Sequence, residues 1–317
     1  MSKDIKRFSF SRLKTFQTCP RKHYYNYVEQ IETEETATTI PGKMFHECIE
    51  LYFQGKDMQP VFQQFSALCS TGKLDLEPDL LAYIVPKYLQ HYAKEFAEER
   101  SVMVEHTFED DLEDDDKLVM IVDEAFYDKN DYLVVRDRKT TLNKLKYTQD
   151  DVMYNQQLYL YLPYVEDALG HQVDAVEIDE IKLAKLQPVP LKNNGKPSID
   201  KKLLELVTYE DYYDYLASRG LETEKEFQPI LEWLQQRGHP LFRRVRCQVL
   251  DQNIIASNAQ DLLDTYHSAK TQVSYRVKGP LCNYCSFKEL CQLDYSIPSS
   301  AERAMIIQKI SKNNHYR

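Results

Sequence analysis

Asp123, Asp137 and Lys139 are the residues of this chain whose types and spacing could do chemistry. They stand in VMIVDEAFYDKNDYLVVRDRKTT, residues 119–141. Two carboxylates can hold a hard divalent cation through oxygen, and an ammonium beside them can orient a water or steady developing negative charge. The same residue types also occur as solvated pairs at strand ends, so the triplet alone leaves both readings open. Three further residues extend the set. In 42–53, His46, Ile49, Glu50 and Phe53 fall at i, i+3, i+4 and i+7, the spacing of one helix face. An imidazole there is either a packed histidine or a nitrogen ligand. In 151–162, Gln157 and Tyr161 lie one helical turn apart, a polar pair that suits a phosphate or a substrate strand, or a buried bond to each other.

The elements that must position these groups begin with a hairpin. Apolar β-type runs at 118–122 and 132–135 flank the turn-prone Asp128, Lys129, Asn130 and Asp131. Each strand is expected to end on its acid. Alternation along the second places Leu133, Val135, Asp137 and Lys139 on one face. Around the hairpin, the pattern predicts a strand or turn at 8–10, a helix over 11–27, a loop at 33–39, and helices at 60–68 and 80–98. A sheet starts at 102–108, with Glu105 a candidate further acid near the site, and 109–116 reads as an acidic solvated loop between strands. A strand follows at 173–186, a polar turn-rich stretch at 191–197, helix over 203–234 and an amphipathic helix at 258–271. The segment 242–249 is open between helix and strand. There is no internal repeat, no low-complexity tract and no G-x-x-x-x-G-K-[ST] element for an ATP motor.

Composition bounds the partners. At 317 residues the chain can bury a sizeable core as one large domain or two. Only 8 glycines favour a helix-rich architecture over a turn-rich β fold. No apolar run approaches membrane-spanning length, and the expectation is a soluble protein. A net charge of −10 does not advertise a nucleic-acid binder, but the acids bunch at 109–116. Basic residues cluster at Arg12, Lys14, Arg21 and Lys22, at Lys139, Lys144 and Lys146, and at Arg243, Arg244 and Arg246. If they converge, a local basic channel could track phosphates. Among 23 tyrosines, Tyr24, Tyr25 and Tyr27 are the best candidates for base stacking.

Seven cysteines, an odd and scattered set with no amino-terminal apolar signal stretch, argue for a reducing compartment rather than a disulfide framework. Cys282, Cys285 and Cys291 are different: three thiols within ten residues can fold round one metal centre, and Cys19 is a candidate fourth ligand from the other end of the chain. Structural zinc, an iron–sulfur cluster and ordinary buried thiols all fit that spacing. Cys48, Cys69 and Cys247 sit among apolar neighbours and read as core.

The order of these motifs resembles the PD-(D/E)XK nucleases of the RecB and AddB type: a helix with His46, a strand with Asp123, a strand with Asp137-x-Lys139, then a helix with Gln157 and Tyr161. The opening FSFSRLKTFQTCPRKHYY, residues 8–25, looks like the first segment of that family. The resemblance runs from Phe8 to Cys291 and is weakest over 191–238. Three places depart from it: Val122 stands where a proline gives the superfamily its name, no glycine precedes Asp123 closely, and Arg138 occupies a position where an aromatic is frequent. None removes a metal ligand.

The resemblance implies an α/β fold, a restriction-endonuclease-like core with a mixed central sheet flanked by helices. It also implies a 4Fe–4S cluster on Cys19, Cys282, Cys285 and Cys291, as in related CRISPR-adaptation nucleases, closing almost the whole chain into one loop. The expected organisation is one nuclease domain, 1–317, with an N-terminal part of the clasp at 8–30, the core at 40–190, a helical insertion at 191–250 and the C-terminal helix and cysteine segment at 251–317. The implied activity is Mg²⁺- or Mn²⁺-dependent hydrolysis of DNA, as an exonuclease on single strands or ends. Asp123, Asp137 and His46 would be ligands, helped by the Arg138 carbonyl. Lys139 would act on the water, and Gln157 and Tyr161 would grip the substrate backbone. Recombination, repair or phage replication in a bacterial cytoplasm is the implied setting, with a helicase or recombination protein as partner. The rival readings are a non-catalytic DNA-end-binding subunit and a structure-specific or restriction-type endonuclease.

Overall fold

In the computed structural model, residues 6–31, 33, 39–249, 252–271, 274–294, 296 and 298–312 are described. In chain order the elements are β1 (Arg7–Ser9), α1 (Phe10–Thr18), α2 (Pro20–His23), a π-helical turn (Tyr24–Val28), α3 (Thr39–Phe53), α4 (Gln59–Ser70), α5 (Leu80–His91), α6 (Ala93–Glu98), β2 (Arg100–Asp111), β3 (Lys117–Tyr127), β4 (Leu133–Thr141), α7 (Gln149–Met153), α8 (Gln156–Leu169), β5 (Ala175–Lys182), α9 (Tyr209–Ala217), α10 (Gln228–Arg237), β6 (Phe242–Gln248), α11 (Gln252–Lys270), a 3₁₀ turn (Pro280–Tyr284), α12 (Lys288–Leu293) and α13 (Ser300–Lys312).

One mixed sheet runs β1-β3-β4-β5-β6, with β2 on the remaining edge of β3. β2 pairs antiparallel with β3 from Lys117 to Tyr127, so β1 and β4 must share the opposite edge. There β1 takes residues 117–119 in parallel, and β4 takes Glu124 to Tyr127 antiparallel. Residues 120–123 of β3 lie between them without a ladder partner on that side. This fork is where the sheet opens, and Asp123 stands at its crotch. β4 then pairs in parallel with β5 over its whole length. On β4 to β6, Leu133, Val135, Val176, Ile178, Val245 and Cys247 face a core closed by α1, α8 and α11. The other face lies under α3, α4 and α5, whose core takes in Ile181 and Phe242. A separate small core gathers around α9 and α10.

Several expectations are corrected. Neither catalytic-type acid ends its strand, because β3 keeps β2 as a partner to Tyr127 and β4 keeps β5 to Thr141. The helix expected over 11–27 breaks at Cys19, whose backbone is extended (φ −163°) because Pro20 disfavours a helical residue before it. The 109–116 stretch is not a simple solvated loop: β2 continues to Asp111, and the buried Asp116 accepts from Lys6 N and Tyr266 Oη. The 151–162 helix is interrupted near Tyr154 between α7 and α8, and 203–234 is two helices rather than one. The 242–249 segment is strand β6 of the central sheet, so the insertion after β5 is helical only to Gly238. The loop expected at 33–39 falls mostly outside the described residues. Among the described residues, no helix is long and apolar enough to cross a membrane.

Candidate active site

Three elements deliver the chemistry to the fork. α3 approaches the end of β4 because Gly42 has no side chain; a Cβ there would lie 2.7 Å from Thr140 Oγ1. That approach brings His46 over the peptide of Arg138. α8 starts at Asn155, whose side chain accepts from Gln157 N (3.0 Å) and Leu158 N (3.1 Å), an N-cap that fixes where Gln157 points. The β3–β4 turn is held by Asp128 Oδ1, which accepts from Asn130 N (2.8 Å) and Tyr132 N (3.1 Å).

His46, Glu105 and Asp123 each present a ligand atom, all within 4.8 Å of one another. His46 Nδ1 lies 2.9 Å from Glu105 Oε1 and 3.6 Å from Asp123 Oδ2, and Nε2 lies 3.1 Å from the Arg138 carbonyl. Each ring nitrogen faces an oxygen, and the tautomer sets which of them donates. Burial disfavours the imidazolium, but Asp123 and Glu105 outweigh it and raise the group to about 9. Asp123 Oδ2 accepts from Arg138 N at 2.6 Å. The Lys139 ammonium sits 2.7 Å from Asp137 Oδ2 and donates to Gln157 Oε1 at 2.8 Å, and Gln157 Nε2 donates to Tyr161 Oη at 2.6 Å. Burial holds the Asp137 carboxyl up near 6, against the pull of Lys139. Lys139 is raised: burial opposes its charge, but Asp137 and Asp123 prevail.

His46, Glu105, Asp123, Lys139, Gln157 and Tyr161 thus line one cleft of about 800 Å³, and Asp137 is buried behind Lys139. Gln157 and Tyr161 are tied first to Lys139 and to each other. Tyr161 is buried and reaches the cleft through Gln157.

Glu105 is the residue that sequence reasoning underrated. It stands across from Asp123 in the β2–β3 register, between the pairs Val104 with Glu124 and His106 with Val122, and its φ is +45°. Left-handed backbone at a non-glycine residue inside a strand is strained, and strain of this kind gathers at functional sites. No local sequence signal marks it, since its position depends on pairing with a strand a dozen residues on.

The donor set suits a hard divalent ion. Two carboxylate oxygens and an imidazole nitrogen from three elements, α3, β2 and β3, converge there, beside the ion pair of Asp137 with Lys139. Glu105→Gln is expected to weaken Mn²⁺ binding by about tenfold, since carboxylates that hold a ligand histidine carry effects of that size. Titration calorimetry on metal-free protein checks this, and an unchanged affinity would remove Glu105 from the centre.

A second group of candidate ligands joins segments from the two halves of the chain. Cys19, Cys282, Cys285 and Cys291 are free thiols that line one cavity of about 370 Å³, together with Arg21, Lys22, Arg276, Lys278 and Lys288. Arg276 Nε donates to Cys291 Sγ at 3.1 Å. Burial raises the Cys285 thiol, and the neighbouring Cys19 and Cys291 raise it further. The two ends are joined by Tyr25 Oη donating to Asp294 (2.7 Å), by Arg303 pairing with Glu29 (2.6 Å) and Asp294 (3.0 Å), and by Phe287 packed on Tyr25. Tyr25 is therefore core of this clasp rather than a base-stacking surface. Cys48, Cys69 and Cys247 are buried away from it.

The basic clusters converge only in part. Arg12 is buried over the Phe8 ring, Arg244 and Arg246 pair with Asp179 and Asp128, and Lys144 pairs with Glu205.

A mixed sheet forks beside two aspartates and a lysine, with a helix histidine set over the fork, and the arrangement has the donor types of a metal-dependent nuclease site. The sequence pattern of the PD-(D/E)XK nuclease superfamily matches residues 7–292, and the chain belongs to that superfamily. No curated protein matches it.

Proposed function

We propose that the protein is a Mg²⁺- or Mn²⁺-dependent deoxyribonuclease, acting as an exonuclease on single-stranded DNA or DNA ends. The observation that carries this reading is the convergence of His46, Glu105 and Asp123 within 4.8 Å, in one cleft with Lys139 above the buried Asp137. His46, Asp123, Asp137 and the Arg138 carbonyl would hold the cation, with Glu105 as the added carboxylate. The bound cation supplies Lewis-acid polarisation of a phosphoryl oxygen and a water of lowered pKa. Lys139, fixed between Asp137 and Gln157, would orient the attacking water or steady charge on a phosphoryl oxygen. Gln157 and Tyr161 hold that lysine in place and offer the remaining polar surface to the substrate backbone. The four-cysteine cavity would hold a 4Fe–4S cluster. Its room exceeds that of a single ion, and its basic lining suits thiolate-bound negative charge. Free thiols throughout fit a reducing cytoplasm, and the expected setting is recombination, repair or phage replication beside a helicase or recombination protein.

Digestion of end-labelled single- and double-stranded DNA with Mg²⁺, Mn²⁺ or EDTA tests the reading. Ladders shortening from one end that EDTA abolishes are expected; intact DNA under every metal would leave only the end-binding role. Lys139→Ala should lower kcat by about 10²- to 10³-fold, the loss seen when one preorganised donor to developing charge is removed. The Mn²⁺ concentration for half activity should stay within about threefold, because the ammonium is no metal ligand. A kcat close to the parent's would overturn the role given to Lys139.

A further inference from the structure

The face of the sheet opposite the Asp137–Lys139 face carries a buried ionic layer. Glu124, Arg136, Arg138, Glu177 and Asp179 are buried there, with Arg244 at the margin. Strand register alternates their charges: Glu124 pairs with Arg136, Arg136 with Glu177, Arg138 with Asp179, and Asp179 with Arg244. The contacts are direct. Arg136 meets Glu124 at 2.8 Å, Glu177 at 2.5 Å and Glu99 at 2.7 Å. Arg138 meets Glu124 and donates from Nε to Tyr88 Oη at 3.1 Å; Tyr88 in turn donates to Asp179 at 2.6 Å. Arg244 Nε closes the row on Asp179 at 3.0 Å. Glu124 is held below the usual carboxylate range, because Arg138 and Arg136 overcome the effect of its burial.

Burying five charged groups is a poor way to gain stability, since well-packed apolar side chains generally serve as well or better. One residue connects this layer to the cleft. The side chain of Arg138 belongs to the layer, whereas its backbone belongs to the candidate metal centre: the amide donates to Asp123 Oδ2 at 2.6 Å, and the carbonyl faces His46 Nε2 at 3.1 Å. A guanidinium held by Glu124 and Tyr88 cannot turn without breaking charged hydrogen bonds, so the peptide groups on either side of it are fixed too. β4 lacks β3 as a partner beyond Arg136, so the ladder on that edge does not fix these peptides.

We propose that Arg138 is a positioning residue. Through its guanidinium, the ionic layer sets the backbone that orients Asp123 and presents a carbonyl to the metal centre. Its charge never meets the substrate. This rests on the metal-centre reading above.

The test uses the whole chain, freed of metal, as Arg138→Met, Arg138→Lys and Tyr88→Phe. Mn²⁺ affinity is read by calorimetry, together with thermal midpoint and the kcat and KM for an end-labelled oligonucleotide. Arg138→Met should weaken Mn²⁺ by about 10- to 100-fold, the range for groups that orient metal ligands, and kcat should fall with it while KM holds. Arg138→Lys, which keeps the charge on Glu124 but loses the bond to Tyr88, should recover part of that affinity. Tyr88→Phe removes one hydroxyl from the layer and answers the question if Arg138→Met does not fold; about a threefold or greater loss is expected. Variants that melt earlier yet bind Mn²⁺ as the parent does would make the layer purely structural and overturn the proposal. A parent that takes up no Mn²⁺ sensitive to Asp123→Ala would overturn the metal-centre reading itself, and this proposal with it.

Discussion

Asp123→Ala and Asp137→Ala are each expected to abolish DNA cleavage while the protein stays folded. Asp123 is one of three groups whose ligand atoms converge, and it also anchors the amide of Arg138, so its loss removes a ligand and loosens a second donor. Asp137 is the buried carboxylate that fixes the Lys139 ammonium through both of its oxygens. A metal's charge stabilisation is worth several kcal/mol; at about 1.4 kcal/mol per factor of ten, roughly 4 kcal/mol corresponds to a 10³-fold fall in kcat. The two variants should differ in one respect. Asp123→Ala should also lose Mn²⁺ affinity in calorimetry, whereas Asp137→Ala leaves the His46, Glu105 and Asp123 group in place and should keep a weakened part of it. Folding should survive, because β3 and β4 keep β2 and β5 as partners through these positions. Cleavage by either variant at parental rates would sink the site.

Loss of any one of Cys19, Cys282, Cys285 and Cys291 should have the same consequence, and it should be the largest effect outside the cleft. Protein purified without oxygen is expected to be brown, with a broad visible shoulder that fades on oxidation or reduction. Each of the four alanine variants should be pale and poorly soluble, and should bind DNA less well before any change in chemistry, because opening one of four thiolate ligands releases the centre. The cavity joins residues near both ends, which are tied otherwise by bonds such as Tyr25–Asp294, Arg303–Glu29, Arg303–Asp294 and Arg21 N to the Tyr275 carbonyl. Cys48→Ala and Cys247→Ala should keep the colour, since both lie in other cores. A colourless parent holding one zinc per chain would refute the cluster. A brown Cys19→Ala would show that the fourth ligand lies elsewhere.

Much of the site was legible from residue type and spacing alone. Asp123, Asp137 and Lys139 announce a hairpin with acids and a base on it, because side-chain direction in a strand is a matter of counting by two. His46, Gln157 and Tyr161 follow the helical period in the same way. The three clustered cysteines are a local pattern as well. What the sequence could not express were the features made by partners far apart in the chain. That both acids lie within their strands, at a fork, depends on β1 and β4 dividing one edge of β3. Glu105 becomes part of the centre only because β2 lies in register with Asp123 and turns left-handed there. Arg138, a plain departure from an expected aromatic, acquires its place from Glu124 and Tyr88, fourteen and fifty positions away. Local spacing is set by the covalent chain, whereas convergence is set by which strands pair and which helices cover them. For this protein the sequence determined which groups could do the chemistry, and only tertiary pairing decided which of them meet.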